Sequence, residues 1–193
     1  TFYLASGLMG RSENGQKIVE VEQVAELART GHEIGGHTHG HINVQTNSRP
    51  DLIADVRRNE QEIARIVGAE RPMSFAYPFG MISVPSKIAL MRRYPGLRGI
   101  KIGINAGVTD LAHLLSQELY DAVQDSASID RLLDETERLN GWTIFYTHDV
   151  RVDPTNIGCS PRMFAETVEK VRRRGILVEP VIETLRRIGA PGA

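Results

Sequence analysis

Three of the six histidines in this 193-residue chain lie within five positions, in the segment GHTHGH. On a continuing strand His37, His39 and His41 would share one face, whereas in a helical turn only His37 and His41 would converge. Gly35 and Gly36 before the histidines and Gly40 among them favour a turn, so we expect His37 and His41 to form the converging pair. Two neutral imidazoles plus a carboxylate would suit zinc or a similar divalent ion, and the alternative is a solvated polar loop.

Two other motifs share these letters and fit less well. HEIGGH resembles a zincin helix motif, but three residues rather than two separate Glu33 from His37, and its glycine pair opposes a helix. HTH resembles the paired histidines of an amidohydrolase barrel, which belong near the first strand and need further histidines downstream. Only His113 and His148 remain for that role.

Two more polar clusters follow strand-like segments, namely YPFG (77–80) and THD (147–149). In parallel α/β folds, active sites gather at the C-terminal ends of strands. We therefore expect His148 and the Tyr77–Gly80 loop to line the same cavity as the histidine pair.

Alternating strand and helix patterns position these clusters. Strands are predicted at 2–5, 32–36, 73–78, 97–104, 142–148 and 176–181. Helices are predicted at 20–30, 49–67, 85–94, 129–140, 161–174 and 182–189, with Ser48, Ser128 and Ser160 as N-caps. Residues 105–126 contain no predicted element. About six strands alternating with helices indicate an α/β fold with a parallel sheet.

The composition indicates one globular domain. The chain is 41% hydrophobic and 24% charged, and its net charge of −1 gives no reason to expect nucleic acid as a partner. The lone Cys159 excludes an internal disulfide, and no apolar run is long enough to cross a bilayer. A strand at residue 1 suggests that the domain, residues 1–193, is incomplete at its N-terminus.

The motifs together resemble a known family. Residues 37–41 contain the pattern His-Ser/Thr-x-x-His, and FAYPFG and IFYTHD follow it in order. This arrangement resembles the polysaccharide deacetylase family, the NodB-homology enzymes of carbohydrate esterase family 4. The resemblance implies a distorted (β/α) barrel of the polysaccharide deacetylase type, here expected to lack its first strand.

The resemblance also implies roles for individual residues. His37 and His41 match the two metal-binding histidines, with Zn²⁺ as the expected ion, and Thr38 matches the hydroxyl residue that supports them. His39 matches a variable position and is expected to be a bystander.

The two remaining clusters match the family's substrate-binding and catalytic positions. In the loop that contains Tyr77, the backbone N–H of Phe79 would bind the oxyanion. His148 matches the histidine that protonates the leaving amine.

The sequence also departs from the family pattern. Ala76 replaces an arginine that many members have, and Tyr146 replaces the usual leucine of the acetyl pocket. The family's aspartate-tryptophan motif has no clear match, although Asn105 and Asp110 lie in the corresponding region. The Asp-Asp motif, which carries the base and the third metal ligand, is expected upstream.

The function that the resemblance implies is metal-dependent removal of N-acetyl groups from N-acetylglucosamine units of a glycan or oligosaccharide. Two alternatives remain open: a same-fold hydrolase that opens cyclic amides such as allantoin, and a catalytically silent glycan-binding module. Residues 1–193 alone are expected to be inactive, to bind metal weakly and to expose an edge beside β-strand residues 2–5.

Overall fold

Strands and helices alternate along most of the chain in the computed structural model, which describes residues 1–13, 16–68 and 74–193. The strands are β1 (Phe2–Leu4), β2 (Ser12–Glu13), β3 (Gln16–Lys17), β4 (Ile34–Gly36), β5 (Phe75–Ala76), β6 (Leu97–Ile102), β7 (Leu114–Glu118) and β8 (Phe145–Tyr146). The helices are α1 (Val21–Arg29), α2 (Arg49–Val67), α3 (Val84–Leu90), α4 (Ser126–Arg138), α5 (Pro161–Arg173) and α6 (Val181–Arg187). The predicted α/β class is confirmed.

The main sheet has the strand order β1-β4-β5-β6-β7-β8. Parallel pairing joins β1 to β4, β4 to β5, β5 to β6, and β7 to β8. The strands of this sheet are neighbours in chain order, without the reversal of a doubly wound sheet, and this is the order found in (β/α) barrels. β2 and β3 form a separate antiparallel pair that the sequence analysis does not predict.

Contacts within the chain divide it into two compact units. The first comprises Thr1–Gly99, Leu111–His113 and Pro180–Ala193, and the second comprises Ile100–Asp110 and Leu114–Glu179. The first unit contains the histidine segment and the loop that begins at Tyr77, whereas the second contains His148. The expectation of a single domain stays a prediction.

Helix α2 organises the first unit. Ser48 caps it by accepting the N–H of Asp51, and Gly68 ends it in the left-handed region at φ 72°. Its inward face follows helical spacing and consists of Leu52, Val56, Asn59, Glu60 and Ile63. The apolar members pack into two clusters with side chains of the sheet, including Leu4, Ile34, Phe75 and Leu97.

Aromatic side chains pack directly against the backbone of β4. A Cβ on Gly35 would lie 2.6 Å from two ring carbons of Tyr3, and one on Gly36 would lie 3.0 Å from the ring of Phe75 and 3.1 Å from the hydroxyl of Tyr94. The strand ends at Gly36, as expected. Because neither glycine has a side chain, the rings of Tyr3 and Phe75 can pack against the backbone here.

A buried carboxylate joins β4 to the start of α6. Glu33 accepts hydrogen bonds from the hydroxyls of Thr1 (2.6 Å) and Ser74 (2.5 Å) and from the N–H of Ile182 (3.0 Å). Burial, together with the charge of Glu33, raises the pKa of the nearby Tyr3 hydroxyl. Glu33 is thus fully engaged in the fold, which agrees with the rejection of a zincin motif.

The second unit has its own core between α4, α5 and the strands. Its buried members are Leu119, Ile129, Leu133, Cys159 and Val171. Burial raises the pKa of the Cys159 thiol. The amide of Asn105 bonds to both backbone groups of Leu115, so this residue is structural here.

Two sequence predictions in or beside the second unit are wrong, and a third is correct in position but too long. Residues 105–126 contain β7, whose buried Ser116 and Gln117 hide the apolar pattern of a strand. Residues 176–180 form no strand, since Leu177 and Val178 are exposed and Pro180 caps α6. The predicted strand at 142–148 is confirmed as β8, but it extends only over Phe145–Tyr146.

Helix α4 also begins earlier than predicted. Asp125, not Ser128, is its N-cap, because the Asp125 carboxylate accepts the N–H of Ser128 at 2.7 Å. The predicted strand at 73–78 is confirmed as β5, while Met73 lies outside the described residues. Among the described residues, no helix has the length and apolar character needed to cross a membrane.

Replacing Ile63, which is 0% exposed on α2, by alanine should lower the free energy of unfolding by about 2–5 kcal/mol, because it leaves a cavity in the core. Urea denaturation of the two proteins measures this loss. Ile188→Ala is the control: its side chain is 53% exposed, so it should change stability by no more than about 0.5 kcal/mol. Equal losses for the two variants would contradict the described core.

Candidate functional site

The histidine segment leaves β4 and brings two rings together. The ring centroids of His37 and His41 are 4.8 Å apart, with the planes tilted by 52°. Both side chains are half-buried. The expected convergence of this pair is confirmed, while the role of the two residues as metal ligands stays a prediction.

A hydrogen bond to the neighbouring strand orients the ring of His37. Its Nδ1 lies 2.7 Å from the carbonyl oxygen of Ala76, the last residue of β5. Because a carbonyl only accepts, Nδ1 carries a proton, and in the neutral ring Nε2 is then the nitrogen with a lone pair. Metal-binding histidines are commonly held in this way, so His37 fits a metal site.

The backbone around the pair adopts uncommon conformations. Thr38 has φ 60° and His41 has φ 52°, which are left-handed values that non-glycine residues rarely adopt. Thr38 is β-branched and fully buried, and its Oγ1 accepts the N–H of Ile42 at 3.1 Å. Such conformations persist only where the surroundings impose them, and they are often found at functional sites.

Two polar side chains of α2 hold this backbone, and the sequence analysis missed both. The carboxylate of Asp55 accepts the N–H of His39 at 2.6 Å and that of Gly40 at 3.1 Å. Asn59 accepts the N–H of His37 at 3.3 Å. Asn59 occupies a core-facing position of α2, and a buried amide at such a position is the signal that could have identified it.

The amide of Asn59 also connects the segment to the end of β1. It donates to the carbonyl of Leu4 at 2.9 Å and to the hydroxyl of Ser6 at 3.0 Å. Ser6 in turn lies 2.9 Å from Nδ1 of His39. Burial and the charge of Arg58 lower the pKa of His39. These contacts agree with a structural role for His39 rather than a ligand role.

The loop after β5 brings an aromatic ring against the pair. The ring centroid of Phe79 lies 4.4 Å from that of His41, and Phe79 is 56% exposed with φ 57°. Tyr77 is 1% exposed and donates its hydroxyl to the carbonyl of Ala112 at 3.0 Å. Any contact between Tyr77 and a substrate would therefore involve the backbone of Tyr77.

His148 lies in the second unit, two positions after β8, and is exposed. Its Nδ1 is 3.3 Å from both the hydroxyl of Tyr120 and the carbonyl oxygen of Ile157. The hydroxyl of Tyr146 donates to Glu118 at 3.2 Å, and burial raises its pKa with smaller contributions from Tyr120 and Glu118. The predicted location of His148 in one cavity with the histidine pair stays a prediction.

Asp149, the neighbour of His148, has structural partners of its own. Its carboxylate accepts the hydroxyl of Thr155 at 2.9 Å and the N–H of the same residue at 3.2 Å. These contacts agree with the expectation that Asp149 does not supply the missing carboxylate.

Within the part of the chain that is described, no group of three or more histidine, cysteine, aspartate or glutamate side chains could hold a metal ion. The His37–His41 pair offers two nitrogen donors, and the geometry of His37 suits that use. The carboxylate ligand and the base expected upstream therefore stay predictions.

The orientation of His37 makes a direct spectroscopic prediction. In the metal-free protein at neutral pH, His37 should be the Nδ1–H tautomer, since this nitrogen donates to Ala76. Long-range ¹H–¹⁵N NMR spectra distinguish the two tautomers, and the exposed His32 serves as the comparison within the same spectrum. A protonated Nε2 on His37 would contradict the described hydrogen bond.

Comparison with known proteins identifies the family of the first half of the chain. The sequence model of the polysaccharide deacetylase family matches residues 1–94, which include the histidine segment and the Tyr77–Gly80 loop. No curated protein has a sequence that matches this chain.

Solved structures resemble a larger part of the chain. The Bc1960 peptidoglycan N-acetylglucosamine deacetylase has a TM-score of 0.59 at 14% identity, over 83% of this chain and 66% of that chain. The Xyl-CE4 domain of a multidomain xylanase from the hindgut metagenome of Trinervitermes trinervoides has a TM-score of 0.56 at 13% identity, over 90% and 73%. BA3943, a pseudoenzyme of carbohydrate esterase family 4 from Bacillus anthracis, has a TM-score of 0.53 at 14% identity, over 86% and 50%.

At these identities the likeness concerns the fold. It confirms the expected architecture, a distorted (β/α) barrel of the polysaccharide deacetylase type. The chain spans only 35–49% of the length of four further solved structures that it matches. The resemblance found in the sequence is thus confirmed: the sequence model of the polysaccharide deacetylase family matches residues 1–94.

Proposed function

We propose that the intact protein is a metal-dependent hydrolase that removes N-acetyl groups from N-acetylglucosamine units of a poly- or oligosaccharide. The observation that supports this most is the His37–His41 pair, whose rings converge within the segment that matches the family. The hydrogen bond from His37 to Ala76 supports it further, because with Nδ1 as the donor to Ala76 it is Nε2 that would bind a metal.

His37 and His41 would hold the divalent metal, with Zn²⁺ as the expected ion, together with a carboxylate from outside this sequence. When bound, such an ion polarises the acetyl carbonyl and lowers the pKa of water. Thr38 supports the pair because its hydroxyl accepts the N–H of Ile42 and so stabilises the turn that carries both histidines. Phe79 packs on His41 and would limit the access of water to that side of the ring.

Two groups of the chain would act on the reacting amide. The backbone N–H of Phe79 would donate to the oxyanion of the tetrahedral intermediate, in a turn whose left-handed φ is already set before substrate binds. His148 would donate a proton from Nε2 to the departing amine, because Nδ1 is engaged with Tyr120 and Ile157. The products are acetate and a free amino sugar.

Acetate release tests this function. With zinc present, the intact protein should release acetate from an N-acetylated chito-oligosaccharide, and His37→Ala and His41→Ala should each abolish this release and weaken zinc binding. His32→Ala, an exposed histidine outside the site, is the matched control and should retain both properties. Ring opening of allantoin without acetate release would favour the cyclic-amide alternative. Glycan binding without either reaction would favour the silent module.

The role of His148 is tested separately. His148→Ala should lower the rate of deacetylation by at least about 100-fold, the usual contribution of a positioned general acid. It should retain its zinc, because the residue is not among the proposed ligands. Measuring the rate and the zinc content of the same sample separates the two roles. Deacetylation at a nearly normal rate would remove His148 from the mechanism.

A further inference from the structure

We propose that Asp55 is the positioning residue of the candidate metal site: its carboxylate holds the backbone between His37 and His41 in the conformation that brings their rings together. The consequence for metal binding rests on the proposed function of that pair. Asp55 lies sixteen positions after His39, on helix α2, and carries no role in the motifs discussed so far.

The carboxylate of Asp55 makes several hydrogen bonds to the backbone of the histidine segment. One oxygen of Asp55 accepts the N–H of His39 at 2.6 Å and that of Gly40 at 3.3 Å, and the other accepts Gly40 at 3.1 Å. Hydrogen bonds to an ionised acceptor are among the stronger ones in proteins. The carboxylate is carried by a helix whose adjacent residue, Val56, is fully buried, so its position is fixed by the core.

The segment needs such a contact, because Thr38 and His41 both have left-handed φ values. A β-branched residue leaves this region readily unless its neighbours prevent it. His39 and Gly40 are the two residues between these strained positions, and Asp55 binds the N–H groups of both. Releasing them would let the turn relax and the two rings separate.

A direct ligand role for Asp55 is a weaker explanation. Both of its carboxylate oxygens are used by backbone N–H groups, and among the described residues it joins no group of three that could hold a metal. Asn59, one turn further along α2, supports the same segment by accepting the N–H of His37. The side chains of α2 therefore hold the backbone of the histidine segment, and this backbone determines where the two imidazole rings lie.

The test compares Asp55→Asn with Asp51→Asn in the intact protein. Both variants remove one charge from α2, but Asp51 is exposed and its carboxylate accepts the hydroxyl of the helix cap, Ser48. Zinc affinity is measured by competition with a chromophoric chelator, and backbone amide exchange of His39 and Gly40 by NMR in the metal-free protein. Asp55→Asn should weaken zinc binding about 10–100-fold and speed exchange at both amides, whereas Asp51→Asn should change neither by more than about twofold.

A second variant disturbs the same contact from the other side. A Cβ on Gly40 would lie 3.2 Å from Oδ2 of Asp55, so Gly40→Ala should also weaken zinc binding. This variant takes the place of Asp55→Asn in the test if Asp55→Asn fails to fold. Asp55→Glu, which keeps the charge, should recover part of the lost affinity. Far-UV circular dichroism and urea denaturation report whether each variant is folded.

The outcomes separate this inference from the proposed function. Unchanged zinc affinity in folded Asp55→Asn would overturn the positioning role, even if its stability fell, because a purely structural contact would produce that result. If the parent binds zinc no better than a His37→Ala, His41→Ala double variant, the metal-dependent function fails. Amide exchange at His39 and Gly40 would then still decide whether Asp55 holds the segment.

Discussion

The candidate site depends on the hydrogen bonds that join helix α2 to the segment after β4. The amide of Asn59 contacts three parts of the first unit at once: the N–H of His37, the carbonyl of Leu4 and the hydroxyl of Ser6. Asn59 is fully buried, so losing its amide would remove three hydrogen bonds from the interior, and a buried polar group that is left unsatisfied costs about 1–3 kcal/mol. The conformation of the site and the stability of the surrounding core are therefore set by the same contacts.

The two histidines of the pair are positioned by different means. The ring of His37 is oriented by a carbonyl of β5, and β4 and β5 are parallel neighbours, so the spacing of adjacent strands determines where this ring can lie. The ring of His41 belongs to a turn in which Thr38 and His41 itself are left-handed, and it packs on Phe79, which also has a left-handed backbone. One imidazole is thus fixed by the sheet and the other by loops, and loops are where related proteins differ most in sequence and length.

The sequence predicted the elements whose signals are local and missed those that depend on distant partners. Helix α2 carries its own cap at Ser48 and its own stop at Gly68, and both function as predicted. β7 was missed because its buried polar residues become compatible with a strand only beside neighbouring strands. Residues 176–180 were wrongly predicted because nothing local reveals that an apolar run is exposed.

The site shows the same division. The spacing of His37 and His41 was sufficient to predict their convergence, since it is a property of one turn of chain. No local pattern relates Asp55 to His39, so that contact emerges only when α2 packs on the sheet.

The rings packed closely on Gly35 and Gly36 leave little room for a side chain at either position. In a saturation mutagenesis experiment these two positions should accept almost no side chain, although neither would touch a substrate, so intolerance to substitution around this site would report packing as much as chemistry.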